Sequence, residues 1–245
     1  MAIDYKSLPV YEQKQKILDC LEKNQVVIVE SPTGSGKTTQ INLLLDYCKE
    51  KGIDAFYIWG KGRATPGVMF LKKVFRRDKR MNDTQKKEYR EKVYGSKFKK
   101  FLLLTASIVD LWFFWGIKYR KLNRKHKLLI CDRYVWDTFV EFKTEFSEFR
   151  VEKWLIWKIA VKVAPKPIES FMFYIDAEES FKRDNDKGDK DRDELDRKKL
   201  KVQKYEELMS QNKWSITISG LESREKIFNT IKKVIFNDNK ANGVS

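Results

Sequence analysis

The length and charge of the chain limit the classes of protein to which it can belong. It has 245 residues, which suits a single domain, and 42% of them are hydrophobic, enough for a packed core. The net charge of +16 indicates an anionic partner: nucleic acid, nucleotide or an acidic membrane surface. Much of the basic excess lies between residues 72 and 127, and a merely solvated basic surface is the alternative.

The cysteine and histidine content argues against disulfides and zinc chemistry. Cys20, Cys48 and Cys131 are far apart and odd in number, so we expect buried free thiols in a reducing cytosol. His126 is the single histidine, which argues against a zinc site or a histidine-based triad. The first 25 residues lack the apolar stretch of a signal peptide, so we expect a cytoplasmic protein. The most apolar run, residues 101–115, is too short and too polar for a membrane span and predicts a buried helix.

Short apolar runs alternate with amphipathic segments along the chain. They predict five strands, over 26–29, 55–59, 128–131, 171–175 and 215–218. Helices are predicted over 8–23, 40–51, 72–90, 98–123, 136–149, 151–163, 177–183, 194–209 and 223–236, with a charged loop over 184–193. Strands that alternate with helices indicate a parallel sheet covered on both faces. We therefore predict an α/β fold in one domain over 1–245, a three-layer α/β/α sandwich with a disordered tail over 237–245.

The first strand leads into a loop that suits a phosphate ligand. Residues 30–39 read E-S-P-T-G-S-G-K-T-T, and a helix follows. The N–H groups of such a loop and of the helix N-terminus point toward an anion. Lys37 would reach the outer phosphates, and the Thr38 hydroxyl would bind Mg²⁺. The full pattern has Gly at position 31, where this chain has Ser31. The candidate nucleotide-binding residues are Ser31, Thr33, Gly34, Ser35, Gly36, Lys37, Thr38 and Thr39.

Charged residues also follow two other strands. Ligands of parallel α/β sheets bind beyond the carboxyl ends of the strands. Asp132 ends the third strand, where a carboxylate organises Mg²⁺, and Arg133 can clamp a phosphate. The alternative is a helix-capping Asp beside a surface Arg. Arg63 follows the second strand in G-K-G-R-A-T-P-G, where the alternative is a plain turn.

Two further groups of side chains have both a functional and a structural interpretation. Four cations surround a Gly-containing segment that can close over phosphates as a mobile flap, although interleaved aspartates also fit a solvated charge run: Arg183, Lys187, Lys190 and Arg192. Six aromatic side chains can stack a base, although aromatics at helical spacing are more often part of a core: Trp112, Phe113, Trp115, Trp136, Phe139 and Phe142.

Together these segments resemble the thymidylate kinase family of P-loop nucleoside monophosphate kinases. The family loop E-G-x-D-G-x-G-K-T-T-Q is similar to residues 30–40, its D-R-Y to residues 132–134, and its R-E-P-G-G to the segment that begins at Arg63. Its lid, R-x-x-x-R-G-x-x-D-R, resembles residues 183–192, and the Tyr after the lid resembles Tyr205. The resemblance covers about residues 25–236 and implies a P-loop NTPase fold with a short lid, at about 183–197.

The resemblance also implies roles by position. ATP and Mg²⁺ would be the cofactors, with Thr38 and Asp132 at the metal. The residues implied in catalysis are Lys37, Asp132, Arg133, Arg183 and Arg192. The residues implied in acceptor binding are Arg63, Arg133, Tyr134 and Asp137. Lys187 would belong to the lid.

Departures from the family pattern concentrate on the acceptor side. Thr33 replaces an Asp that serves the acceptor, Leu111 replaces an Arg, and Asp137 replaces a Ser. Residues 140–142 read V-E-F in place of A-Y-Q, so the base-reading Gln is lost. The residues on the ATP side follow the family pattern more closely than those on the acceptor side. The acceptor can be another nucleotide, a nucleoside or something else.

Three functions follow from these observations. The first is phosphoryl transfer from ATP to a thymidylate-like nucleoside monophosphate or a related acceptor, assisted by Mg²⁺. The second is a nucleic-acid-dependent ATPase, because residues 8–40 are similar to the first motifs of DEAH-type helicases. The chain has no D-E-x-H box at Asp132, however, and is too short for two helicase domains. The third is a non-catalytic nucleotide-binding module, and the sequence also leaves a homodimer open.

Overall fold

The computed structural model describes residues 26–60, 95–186 and 195–237. Five strands, β1 (Val26–Glu30), β2 (Ala55–Trp59), β3 (Leu128–Asp132), β4 (Glu169–Tyr174) and β5 (Ile216–Ser219), form one sheet in the order β2-β3-β1-β4-β5. Every neighbouring pair is parallel. The predicted α/β fold with a parallel sheet is therefore confirmed.

Helices cover both faces of this sheet. They are α1 (Lys37–Glu50), α2 (Lys97–Phe113), a π-helical segment (Phe114–Tyr119), α3 (Arg120–Lys125), α4 (Val135–Glu145), a 3₁₀ turn (Val151–Lys153), α5 (Leu155–Val163), α6 (Ala177–Asp186), α7 (Leu195–Met209) and α8 (Arg224–Asn237). The predicted helices over 8–23 and 72–90, and all but residue 237 of the predicted tail, lie outside the described residues.

Alternation along the strands divides the core between the two faces. Val26 and Ile28 of β1 pack into one cluster, with α2, α4 and α5, whereas Val27 and Val29 pack into another, with α1 and α8. Successive side chains of a strand point to opposite faces, so an unbroken apolar strand needs cover on both. The three-layer sandwich follows from that requirement.

The charged loop predicted over 184–193 is wrong at its first residues, because α6 continues to Asp186. Asp184 is buried on this last turn and pairs with Lys198 of α7 at 2.5 Å. A buried partner removes the solvent-facing character that the sequence predicts for this residue. The other residues of the predicted loop lie outside the described ranges.

The segment Lys97–Lys125 is helical throughout its 29 residues and passes a membrane-span test of length and composition. It is longer than the apolar run judged from the sequence. Its buried side chains, including Leu104, Ile108 and Trp115, pack in the cluster that also holds Ile28 and Leu129 of the sheet. One side of this segment is thus a core face of the α/β domain, but only 33% of its most apolar window is buried, and Phe98, Phe113 and Ile117 are exposed. The expected buried helix is therefore only partly buried.

Candidate functional site

The loop between β1 and α1 has the backbone of a phosphate cradle. Gly34 and Gly36 have φ of 79° and 87°, a left-handed conformation that favours glycine. Gly36 directly precedes α1, so the free N–H groups of the helix start at the loop. Ser31 does not take a positive φ, and its hydroxyl lies 2.6 Å from Ser35 Oγ. A side chain is therefore accommodated where the full pattern has glycine.

Lys37 joins three of the predicted site residues. Its Nζ lies 3.0 Å from Asp132 Oδ1 at the end of β3 and 3.5 Å from Asp137 Oδ2 in the first turn of α4. It also donates to the Ser31 carbonyl oxygen at 3.4 Å. All three charged side chains are nearly buried. One ammonium thus lies between two carboxylates, one at the end of β3 and one at the start of α4.

Two tyrosines fix these carboxylates from the opposite side. Tyr57 of β2 donates its hydroxyl to Asp132 Oδ2 at 3.1 Å, and burial, with Asp132 second, raises the pKa of Tyr57 to about 12. Tyr205 of α7 donates its hydroxyl to Asp137 Oδ1. Burial raises the pKa of Asp137, although Lys37 and Arg133 act in the opposite direction. Both tyrosines stay protonated over the physiological range, so both remain donors.

Arg133 lies at the same edge in an unusual backbone conformation. Its φ is 65°, and a Cβ on Gly60 would lie 2.3 Å from its carbonyl oxygen. The glycine that follows β2 is therefore required by the close approach of the chain after β3. The Arg133 guanidinium donates to Glu141 Oε1 at 3.4 Å. Arg63, the second cation expected at the acceptor, lies outside the described residues.

Tyr134 follows Arg133 but lies in the core. Its hydroxyl donates to the Pro165 carbonyl oxygen at 2.8 Å, and its ring packs against Trp115 and Tyr119. The side chain is therefore part of the core behind the end of β3. Its expected contact with substrate stays a prediction.

Arg183 contacts the phosphate loop from α6. Its guanidinium donates to the carbonyl oxygens of Gly34, at 3.3 Å, and Gly220, at 3.0 Å, and to Glu179 at 2.8 Å. The side chain therefore braces the loop in this structure. The other predicted lid cations, Lys187, Lys190 and Arg192, lie outside the described residues.

Two buried charged residues at the site were not singled out by the sequence. Lys198 of α7 donates to Thr33 Oγ1 at 2.8 Å, to Ser180 Oγ at 3.0 Å and to Asp184. Glu30 at the end of β1 accepts hydrogen bonds from three N–H groups at the start of α4 and from the Trp214 indole. Lys198 has no sequence signal, since it stands in a charged helical run. Glu30 has one, since it is an acid at the end of an apolar strand.

The candidate base-stacking aromatics are mostly core residues. Trp115 and Phe142 are 1% exposed, and Trp112, Trp136 and Phe139 pack partly buried against the same core. Phe113 is the exception, with 61% of its side chain exposed. Cys48 and Cys131 are buried free thiols, and Cys20 lies outside the described residues.

The described part of the site offers few protein ligands for a metal ion. The described part of the chain contains no group of three or more His, Cys, Asp or Glu side chains that could hold a metal ion. Asp132 and the exposed Thr38 are the candidate oxygen ligands. Mg²⁺ commonly relies on one or two protein oxygens together with substrate phosphates, so this small set fits the ion.

A central P-loop, an acidic strand end and a five-stranded parallel sheet define the fold of a P-loop nucleotide kinase. The family model "Thymidylate kinase" matches residues 29–231, most of the chain. The chain therefore belongs to the thymidylate kinase family.

Several curated proteins match the chain over short segments. The ATP-dependent RNA helicase HrpA of Borreliella burgdorferi is 55% identical over 38 residues, 16% of this chain and 4% of that protein. The ATP-dependent RNA helicase TDRD9 of Danio rerio is 41% identical over 51 residues, 20% of this chain and 4% of that protein. The probable ATP-dependent RNA helicase spindle-E of Drosophila mojavensis is 53% identical over 36 residues, which are 15% of this chain and 2% of that protein. The chain thus spans only a few per cent of the length of these helicases.

Proposed function

We propose that this chain transfers the γ-phosphoryl group of ATP to a nucleoside monophosphate or a related acceptor, with Mg²⁺ as the metal. The observation that carries the proposal is the contact of Lys37 with Asp132 at the mouth of the P-loop. Family membership supports a nucleotide kinase, whose catalysis consists of positioning and charge neutralisation.

The roles of the site residues follow from where their charges lie. Lys37 would exchange its carboxylate partners for the outer phosphates, which the loop amides would also bind. Asp132 and Thr38 would hold Mg²⁺, which supplies neutralisation of the phosphate charge. Arg133 would face the acceptor, and Arg183 would keep the loop in place through Gly34.

Binding and transfer should be measured separately. Isothermal titration calorimetry gives the affinity for MgATP, and ADP release over a panel of nucleosides and nucleoside monophosphates gives acceptor-dependent turnover. We expect Lys37→Met to lower turnover by about 100-fold or more, because a preorganised cation at the transferred group is lost. Arg133→Ala should impair acceptor use and leave MgATP affinity nearly unchanged. Absence of acceptor-dependent turnover across the panel would contradict the proposal.

The other expected partners remain predictions. The short helicase matches do not favour a nucleic-acid-dependent ATPase, although salt-sensitive RNA or DNA binding with stimulated ATP hydrolysis would support one. The homodimer and the cytoplasmic location rest on the sequence and the family alone.

A further inference from the structure

A cavity of about 530 Å³ is lined by residues of α4, α5 and α7. Ligand cavities commonly have volumes of about 300–1,000 Å³, so this one has room for a small molecule. Its lining residues within the described chain include none from the P-loop. The proposed phosphoryl transfer therefore makes no use of this cavity.

Helix α4 presents one face to the cavity and another to the candidate site. Trp136, Phe139 and Lys143 line the cavity and are three and four residues apart, so they share one face of the helix. Asp137 lies about 100° around the helix from Trp136 and pairs with Lys37 of the P-loop. The cavity is thus a separate place on the molecule.

Aromatic side chains form much of the apolar wall. The rings of Phe139 and Trp157 are stacked with 5.7 Å between their centroids, and Trp136 meets Phe139 edge-on at 6.2 Å. Trp157 is 3% exposed and belongs to the core, whereas Trp136 and Phe139 are only partly buried. Partly exposed rings in a cavity suit a planar ligand, because every nucleobase has a π-face that can stack on them.

Lysine side chains give the cavity an excess of positive charge. Two of its four lysines have acidic partners that also line it: Lys143 with Glu152 at 3.1 Å, and Lys204 with Glu207 at 2.6 Å. The other two are Lys158 and Lys213.

These two lysines remain available to an anion. Lys213 Nζ lies 5.1 Å from the centre of the Trp136 ring, and Lys158 is exposed on α5. Neither has an acidic partner among the described residues. A cation beside an aromatic ring matches a ligand that joins a planar group to an anionic one.

We propose that this cavity is a second nucleotide site, which binds the base against Trp136 and Phe139 and the phosphate beside Lys158 and Lys213. An apolar wall alone would suit a hydrophobic ligand, and lysines alone would suit any anion. Their combination in one cavity favours a base linked to a phosphate. The occupant is a single nucleotide, because the lining residues enclose one cavity of limited volume. The proposal goes beyond phosphoryl transfer and is independent of the acceptor.

Photolabelling with 8-azidoadenosine 5′-monophosphate tests the proposal. The whole chain is irradiated with this probe in the presence of saturating MgATP, and mass spectrometry locates the adducts. Adducts on residues 157–161 of α5 are diagnostic, because α5 contributes no residue to the candidate site. We expect such adducts, and we expect unlabelled AMP to prevent them. Adducts confined to other parts of the chain overturn the proposal.

Matched variants test the two halves of the cavity. Lys158→Glu reverses a charge beside the phosphate, so the probe concentration that half-saturates labelling of α5 should rise about tenfold or more. Lys162→Glu changes an exposed lysine one turn further along α5 that does not line the cavity, and labelling should stay as in the wild type. Trp136→Leu removes a stacking ring and should raise the half-saturating concentration about fivefold or more. Unchanged labelling in Lys158→Glu overturns the proposal.

Two further measurements complete the test. MgATP affinity should be the same in Lys158→Glu and the wild type, which shows that the variant is folded and that the two sites are separate. A thymidylate oligonucleotide that prevents labelling at concentrations far below those of AMP would assign the cavity to nucleic acid and overturn a single-nucleotide site. Labelling needs no turnover, so its result stands apart from that of the acceptor panel.

Discussion

The indole N–H of Trp214 donates to the buried carboxylate of Glu30 at 2.6 Å. Oε1 of the same carboxylate accepts the backbone N–H groups of Tyr134, Trp136 and Asp137 at 2.9–3.0 Å. Glu30 thereby connects the end of β1 to the start of α4 and to the chain that precedes β5. Because Asp137 and the P-loop both adjoin this carboxylate, it fixes the spacing between the P-loop and the start of α4.

Trp214→Phe should destabilise the fold by about 1–3 kcal/mol, because a buried acceptor loses its indole donor. Urea denaturation followed by circular dichroism measures the change. Trp154→Phe is the control, since it shortens a partly buried indole in another core cluster without contact to Glu30. Equal effects of the two substitutions would show that the cost is packing alone.

Glu30 should also make stability depend on pH. Burial, with Asp137 as the second cause, raises the pKa of Glu30 to about 8. A folded-state pKa above the unfolded value of 4.5 means that the native state holds the proton more tightly. The free energy of unfolding contributed by this group therefore falls as pH rises from about 4.5 to about 8. Glu30→Gln, which does not titrate, should give a flatter profile in urea melts at several pH values, and an unchanged slope would contradict this assignment.

The sequence predicts most of the fold because its periodic signals are local. Residues 55–59 form a short run of apolar and aromatic residues that ends at Gly60, and β2 has these bounds. The sequence predicts the start of α1 at residue 40, three residues later than in the structure. Apolar spacing begins at residue 40, whereas the helix begins at Lys37, after the left-handed Gly36. Phosphate-loop geometry, not hydrophobic periodicity, sets that boundary.

The same distinction, between local sequence signals and geometry set by the folded chain, holds for the site. Lys37 and Asp132 both follow parallel strands, whose carboxyl ends lie at one edge of the sheet, and Lys37 Nζ lies 3.0 Å from Asp132 Oδ1. Lys198 could not be found in this way. It stands among charged residues on α7, and its burial depends on Asp184, Thr33 and Ser180, which reach it only in the folded chain. Long-range polar partners leave no periodic trace in a sequence.

Lys198→Met should destabilise the protein by about 3–5 kcal/mol, because Asp184 is left buried without its cation. Urea denaturation gives this cost. Thr33 belongs to the P-loop and accepts a hydrogen bond from Lys198, so MgATP affinity should fall as well. Lys199→Met is the matched control: its exposed pair with Glu178 should leave stability and affinity close to wild type. Similar results for the two lysines would rule out a role for Lys198 at the loop.

Gly34→Ala should disrupt the phosphate-binding conformation of the P-loop. Gly52→Ala serves as its control. At Gly34 an added Cβ meets the Ser180 carbonyl oxygen at 3.1 Å, and φ is +79°. At Gly52 φ is +64° and nothing lies within 4 Å of the added atom. Both variants carry a left-handed strain of about 1–2 kcal/mol, but in Gly34→Ala the Ser180 carbonyl oxygen of α6 must also move away from the loop. We therefore expect calorimetry to show loss of MgATP binding in Gly34→Ala and near-normal binding in Gly52→Ala. Normal binding in both would mean that contact between the loop and α6 is not needed to hold phosphate.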